Sequence, residues 1–146
     1  MAEEERGFIT HYSVAHGNPE DSTLLVPAVE GHRQQVGRAP RAVATDRGMA
    51  SAANEAKLRE LGVKQCSLPK TGKKSPGERA KEAAPWFRRL QRFRAGGEAR
   101  ISLLKRQYGW RRSLLRGSEG VKTWTGWRVI THNLTRYARW PKPGAA

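Results

Sequence analysis

Apolar and polar positions fall into alternating blocks along the first half of the chain. Gly7 to Val14 is rich in β-branched and aromatic residues with partial alternation and stops at Gly17-Asn18-Pro19, which predicts a strand ending in a turn. Asp21 or Ser22 is then placed to cap a helix carrying Leu24, Leu25, Ala28 and Val29, running to about Gln35 before Gly37 and Pro40 end it. Arg41 to Thr45 is a short apolar run that delivers Asp46-Arg47-Gly48 at its far end. Ser51 heads a second helix through Ala52, Ala53, Ala56, Leu58 and Leu61, with Gly62 in the place of a helix C-cap, and Val63 to Leu68 reads as the next strand. Strand, helix, strand, helix, strand at this spacing predicts right-handed parallel βαβ units, because parallel strands need a crossover and a helix supplies it. The expected fold class is α/β, a short mixed sheet followed by helices.

The second half has a different period. Residues 69 to 79 carry no periodic apolar signal and read as a mobile basic loop. Trp86, Leu90, Phe93, Gly97, Ile101, Leu104 and Tyr108 then recur in steps of three and four, one apolar stripe of a helix that predicts packing on a sheet. Gly96-Gly97 weakens that helix locally, at about 1 kcal/mol per glycine relative to alanine. A last helix, from about Glu119 to Arg139, puts Trp124, Trp127, Ile130, Leu134 and Tyr137 on one face and Lys122, Arg128, His132, Arg136 and Arg139 on the other. The tryptophan face is expected to dock and the basic face to meet solvent or phosphate. The expected division is therefore an α/β portion at 1–68, a basic loop at 69–80 and a helical portion at 81–140.

Charge sharpens this division. The chain has 146 residues, with 28 Lys+Arg against 13 Asp+Glu, a net charge of +15. Residues 1–72 hold nine basic and nine acidic side chains, whereas residues 73–146 hold nineteen and four, so the entire excess lies in the helical half. A neutral scaffold joined to a basic surface fits a polyanionic partner, since each phosphate contacted releases a condensed counterion. The single cysteine excludes a disulfide framework and a cysteine-built zinc site. No apolar run approaches the roughly 18 residues of a membrane span, and Met-Ala-Glu-Glu-Glu-Arg has no signal-peptide pattern, so a cytoplasmic protein without a membrane partner is expected. The four histidines have no metal-ligand spacing.

Asp21 and Asp46 are the only aspartates. Asp46 follows a predicted buried strand, and the C-terminal edge of a parallel sheet is the usual place for a site. On the long helix, Gln91, Arg94, Glu98 and Lys105 share one strip, roughly 80–90° round from the apolar stripe. A carboxylate there borders the core and could meet Asp46 across a metal ion, with Arg94 and Lys105 placed for phosphates. An ordinary Arg-Glu helix pair is the plainer account of the same spacing.

Asp46-Arg47-Gly48 after a short strand, then Arg94-x3-Glu98-x6-Lys105 on a helix, then a Trp ahead of His132-Asn133-Leu134, resembles the C-terminal part of the DDE transposases of bacterial insertion sequences. Their signature is Tyr-x2-Arg-x3-Glu-x6-Lys; Gln91 stands where the tyrosine would be. Gly17-Asn18-Pro19-x-Asp21 also resembles a segment of that family, and the likeness runs from about Gly7 to Arg139.

The resemblance implies an incomplete RNase H-like fold in which two Asp and one Glu hold two Mg²⁺ (or Mn²⁺) ions for phosphodiester cleavage and strand transfer. Asp46 would be the second Asp and Glu98 the Glu, both catalytic and metal-binding. The first Asp and the N-terminal DNA-binding part would belong upstream, and Asp21 matches a family position outside the catalytic set. A truncated transposase with weak metal binding and little activity alone is expected. The implied partners are DNA (transposon ends and target), a second copy or a full-length transposase, with nucleoid association when DNA is bound. Arg94, Lys105, Arg47, Lys73, Lys74, Arg111 and Arg112 are the DNA-contacting candidates. The alternative is a basic module that binds nucleic acid, or inhibits a transposase, without cleavage.

Overall fold

The computed structural model describes residues 2–3, 6–17, 19–107, 109 and 112–140, without the side chains of residues 2–3, 98–100, 103–104 and 107. Its elements are β1 (Ala2–Glu3), β2 (Ile9–His11), α1 (Asp21–Val36), β3 (Ala42–Ala44), α2 (Ala52–Glu60), β4 (Gln65–Ser67), α3 (Pro76–Ala83), α4 (Pro85–Gln107) and α5 (Gly117–Ala138). The chain is mixed α/β with a short parallel sheet.

The crossover β3-α2-β4 forms as the sequence predicts. Strands β3 and β4 pair in parallel, Ala42 with Gln65, Val43 with Cys66 and Ala44 with Ser67. Ser51 caps α2 by accepting from the Asn54 backbone N–H. At the other end Gly62 has φ 96°, and the N–H groups of Gly62 and Val63 return to the carbonyls of Arg59 and Leu58. Those two bonds form a Schellman motif, which satisfies orphan carbonyls and turns the chain into β4. Leu58, Val63, Cys66 and Leu68 close over Leu25 and Val29 of α1 as the main core.

Four expectations fail here. Strand β2 does not join the β3-β4 sheet; it is three residues long and pairs antiparallel with β1. The Asn133 amide of α5 bonds both the N–H and the carbonyl of Ile9, occupying the place that a neighbouring strand would take there. Neither Asp21 nor Ser22 caps α1: Glu20 is the N-cap, and Asp21 lies in the first turn, where a negative charge suits the helix dipole. The basic loop ends at Ser75, because Ser75 and Glu78 form a capping box that starts α3. Ala84 is held extended ahead of Pro85, which begins α4 and separates the two helices.

The fourth correction concerns α5. Its docked face carries Val129, His132, Asn133 and Arg136, while Trp127, Ile130, Leu134 and Tyr137 are exposed, Trp127 at 63% and Tyr137 at 73%. His132, only 3% exposed, donates from Nε2 to the Gly7 carbonyl at 2.8 Å, and Arg136 donates to the Arg6 carbonyl at 2.6 Å. Polar side chains win this face because β2 and its flanks present backbone carbonyls that need donors. Two glycines allow α1 and α5 to close on β2 and its following loop. A Cβ at Gly31 would lie 2.2 Å from His11 Nδ1, and one at Gly126 would lie 2.5 Å from Tyr12 Oη.

Helix α4 runs unbroken through Gly96-Gly97. Its expected apolar stripe is half-buried at Trp86, Leu90, Phe93, Gly97 and Ile101, with the Leu104 side chain and Tyr108 outside the described residues. Phe87, one position off that stripe, is the buried aromatic. Among the described residues, no helix is long and apolar enough to cross a membrane.

Candidate active-site cleft

The candidate site lies where α4 crosses the C-terminal ends of β3 and β4. Thr45 and Ser67, at those ends, are both buried. The Ser67 carbonyl accepts from the Thr45 backbone N–H at 3.2 Å, and Gln91 adds a donor to the carbonyls of both strand ends. Its Nε2 lies 2.9 Å from the Ser67 carbonyl, 2.9 Å from Ser67 Oγ and 3.3 Å from the Thr45 carbonyl. Ser67 Oγ in turn reaches the Phe87 carbonyl on α4 at 3.3 Å. One side-chain amide therefore fixes the rotation of α4 against both strands, with Arg94 three residues further on.

Asp46 follows directly from Thr45. One of its carboxylate oxygens accepts from the Arg47 backbone N–H at 2.7 Å, and the other lies 3.5 Å from Arg94 Nη1. An open cleft of about 550 Å³ begins here, with Phe87 and Pro69 buried in its lining. Arg47, Arg88, Arg94 and Glu82 complete its polar lining together with Asp46 and Gln91. Glu82 is held by Lys74 Nζ at 2.5 Å and by the Lys70 backbone N–H at 3.0 Å. Burial pushes the Glu82 carboxyl up, but these donors outweigh it and leave the group below the ordinary carboxylate range. On α3, outside the cleft lining, the Lys70 ammonium, the Ser75 backbone N–H and the Ser75 hydroxyl hold Glu78 down to about 2.

The fold thus brings Asp46, Arg47 and Arg94 together. Glu98 follows Arg94 by one helical turn on α4, and its side chain lies outside the described residues. Lys105 is exposed near the end of α4, away from the cleft lining, as are Lys73 and Arg112; Arg111 lies outside the described residues. Lys74 does not stand ready for a phosphate, because Glu82 occupies it. Sequence reasoning missed the bridging role of Gln91, and it missed Ser67, Glu82 and Arg88 altogether. A glutamine on the strip of α4 that borders the core was the available signal, together with a serine closing an otherwise apolar strand.

As a metal site the described donors are sparse: no group of three or more His, Cys, Asp or Glu is placed to hold an ion among the described residues. Asp46 is an exposed carboxylate with an oxygen turned to a cation, suited to a divalent ion that competes with Arg94.

Compared with known families, residues 2–134 match the one described as Transposase DDE domain. The chain belongs to that family. No curated protein and no solved structure matches it. Membership makes it a transposase DDE domain, of a family whose substrate is DNA and whose chemistry uses divalent metals. The match spans the β3-α2-β4 crossover, α4 with Arg94 and Glu98, and α5 as far as Leu134.

Proposed function

We propose that this DDE domain acts in two-metal cleavage and strand transfer of DNA in the movement of an insertion sequence, with Asp46 and Glu98 as metal-holding carboxylates. The observation that supports this most is the Asp46–Arg94 contact, which sets the aspartate after β3 against the strip of α4 on which Glu98 comes next. When bound, the ions activate the attacking water or 3′-hydroxyl and stabilise the leaving oxygen. The chain's own part is positional: Gln91 fixes α4 on the strand ends, Arg94 orients the Asp46 carboxylate, and the basic half gathers the DNA backbone. The architecture is read as an incomplete RNase H-like fold, with residues 1–68 as the α/β portion and 81–140 as the helical portion.

Asp21, the other aspartate, does not line the cleft. Glu82, the other carboxylate of the lining, is held by Lys74 and the Lys70 backbone N–H, so the chain alone would bind Mg²⁺ or Mn²⁺ weakly and cleave little or nothing. The second reading, a module that binds DNA or pairs with a complete transposase without cutting, is favoured by one observation: Arg94 already occupies an Asp46 oxygen.

Manganese titration followed by electron paramagnetic resonance, alongside a Mg²⁺-dependent nicking assay, tests both. Weak Mn²⁺ binding that disappears in Asp46→Ala and in Glu98→Ala, with no nicking by the wild type, is the expected result. Mn²⁺ binding unchanged in both variants would remove the assignment of these carboxylates. Nicking by the wild type that is lost in both would overturn the expected inactivity while keeping the site.

A further inference from the structure

We infer that Arg88 anchors the sugar-phosphate backbone of the DNA strand in the cleft, at the end away from Asp46. The inference rests on the reading of Asp46 as the reacting end of the cleft, and it adds a residue that neither the family signature nor charge counting selects.

The argument begins with Gln91. Its amide is committed to Thr45 and Ser67, so the rotation of α4 about its axis is fixed. Arg88 and Arg94 stand three residues before and after it, which at about 100° per residue places them roughly 60° to either side of Gln91. Both therefore line the cleft. Six residues span about 9 Å of helix axis. One DNA strand carries a phosphate for about every 3.4 Å of duplex axis, so the two guanidinium groups address different phosphates of one strand rather than pinching a single one.

Charge supports the same occupant. Each carboxylate in the lining already faces a cation: Asp46 faces Arg94 at 3.5 Å, and Glu82 faces Lys74 at 2.5 Å. Arg88 lines the cleft, is exposed, and has no carboxylate within ion-pair reach among the described residues; the same holds for the Arg47 guanidinium. The cleft thus presents Arg88 as a positive charge without a paired carboxylate, beside Arg47, whose charge acts on Glu82. Guanidinium forks match phosphate oxygens in two-point contacts.

Fluorescence anisotropy with a short labelled single-stranded oligonucleotide, in EDTA, tests this independently of metal and cleavage. Arg89 is the internal control, being adjacent on α4 and also exposed but outside the cleft lining. Arg88→Ala is expected to weaken binding about tenfold and to lower the salt slope by about one, while Arg89→Ala loses less than about twofold. Arg88→Lys, which keeps the charge without the fork, falls between wild type and Arg88→Ala. Equal losses in Arg88→Ala and Arg89→Ala, or no loss in Arg88→Ala with the far-UV circular dichroism unchanged, would overturn the assignment. Loss of Mn²⁺ binding or nicking in the preceding experiment bears on the metal reading alone, since no metal is present here.

Discussion

Gly126 shows how much a single missing carbon decides in this chain. Helix α5 approaches the residue after β2 so closely that a methyl group at position 126 would meet Tyr12 Oη at 2.5 Å, while the next ring atom is at 3.4 Å. The conflict is therefore with the hydroxyl. Gly126→Ala is expected to destabilise in urea unfolding by about 1–3 kcal/mol of overpacking less the roughly 1 kcal/mol that alanine gains over glycine inside a helix. The double variant with Tyr12→Phe should recover most of the loss, because the offending oxygen is gone. Failure of Tyr12→Phe to rescue would mean that α5 does not close on this residue. Gln91 acts at the same scale with hydrogen bonds rather than space. Removing its amide would leave Ser67 Oγ without that donor in a residue of zero exposure, a loss that commonly costs about 1–3 kcal/mol.

Among the elements, α3 carries the clearest pH signature. Its capping box depends on an ionised Glu78, which also pairs with Lys70 across the loop that precedes the helix. With the folded carboxyl held down to about 2 against an ordinary value of 4.5, its contribution is fully present above about pH 4.5 and is lost as pH falls towards 2. Carboxyl titration of Glu78 by NMR should show a midpoint near 2, moving back towards 4.5 in Lys70→Ala. A wild-type midpoint near 4.5 would dissolve the tie. Ser75-Pro76-Gly77-Glu78 spells this helix start in the sequence, yet the density of Lys, Gly and Pro around it reads as loop.

Elements whose signals are local were legible in the same way. Ser51 and Gly62 bracket α2 so firmly that the parallel β3-β4 pair follows from them. The position of Asp46 at the strand end followed as well, and with it half of the candidate site. What depended on distant partners was not legible. Periodicity finds two faces of α5 but cannot say that Ile9 and Gly7, more than a hundred residues away, will take Asn133 and His132. A three-residue strand such as β2 has too few positions to specify which sheet it joins.

Among the described residues, two cores of unequal size form. The larger contains Leu25, Val29, Leu58, Val63, Cys66 and Leu68, and the smaller only Ile9, Val129 and the half-buried Tyr12. The candidate cleft lies at the strand ends of the larger, so it is tied to the better-packed part. The exposed row of Trp127, Ile130, Leu134 and Tyr137 belongs to the weaker one.

Cys66 lies on β4 in the middle of the larger core, 7% exposed, and burial pushes its thiol above the usual range. As the sole cysteine of the chain, it makes a clock that needs no engineering. A thiol reagent can modify it only when β3, β4 and α2 part, so the labelling half-time measures how often the platform beneath the cleft comes open. That half-time should exceed a free thiol's by roughly a thousandfold or more, and should lengthen further when an oligonucleotide fills the cleft above. Labelling at the speed of an exposed thiol would mean that the platform is loose even when empty.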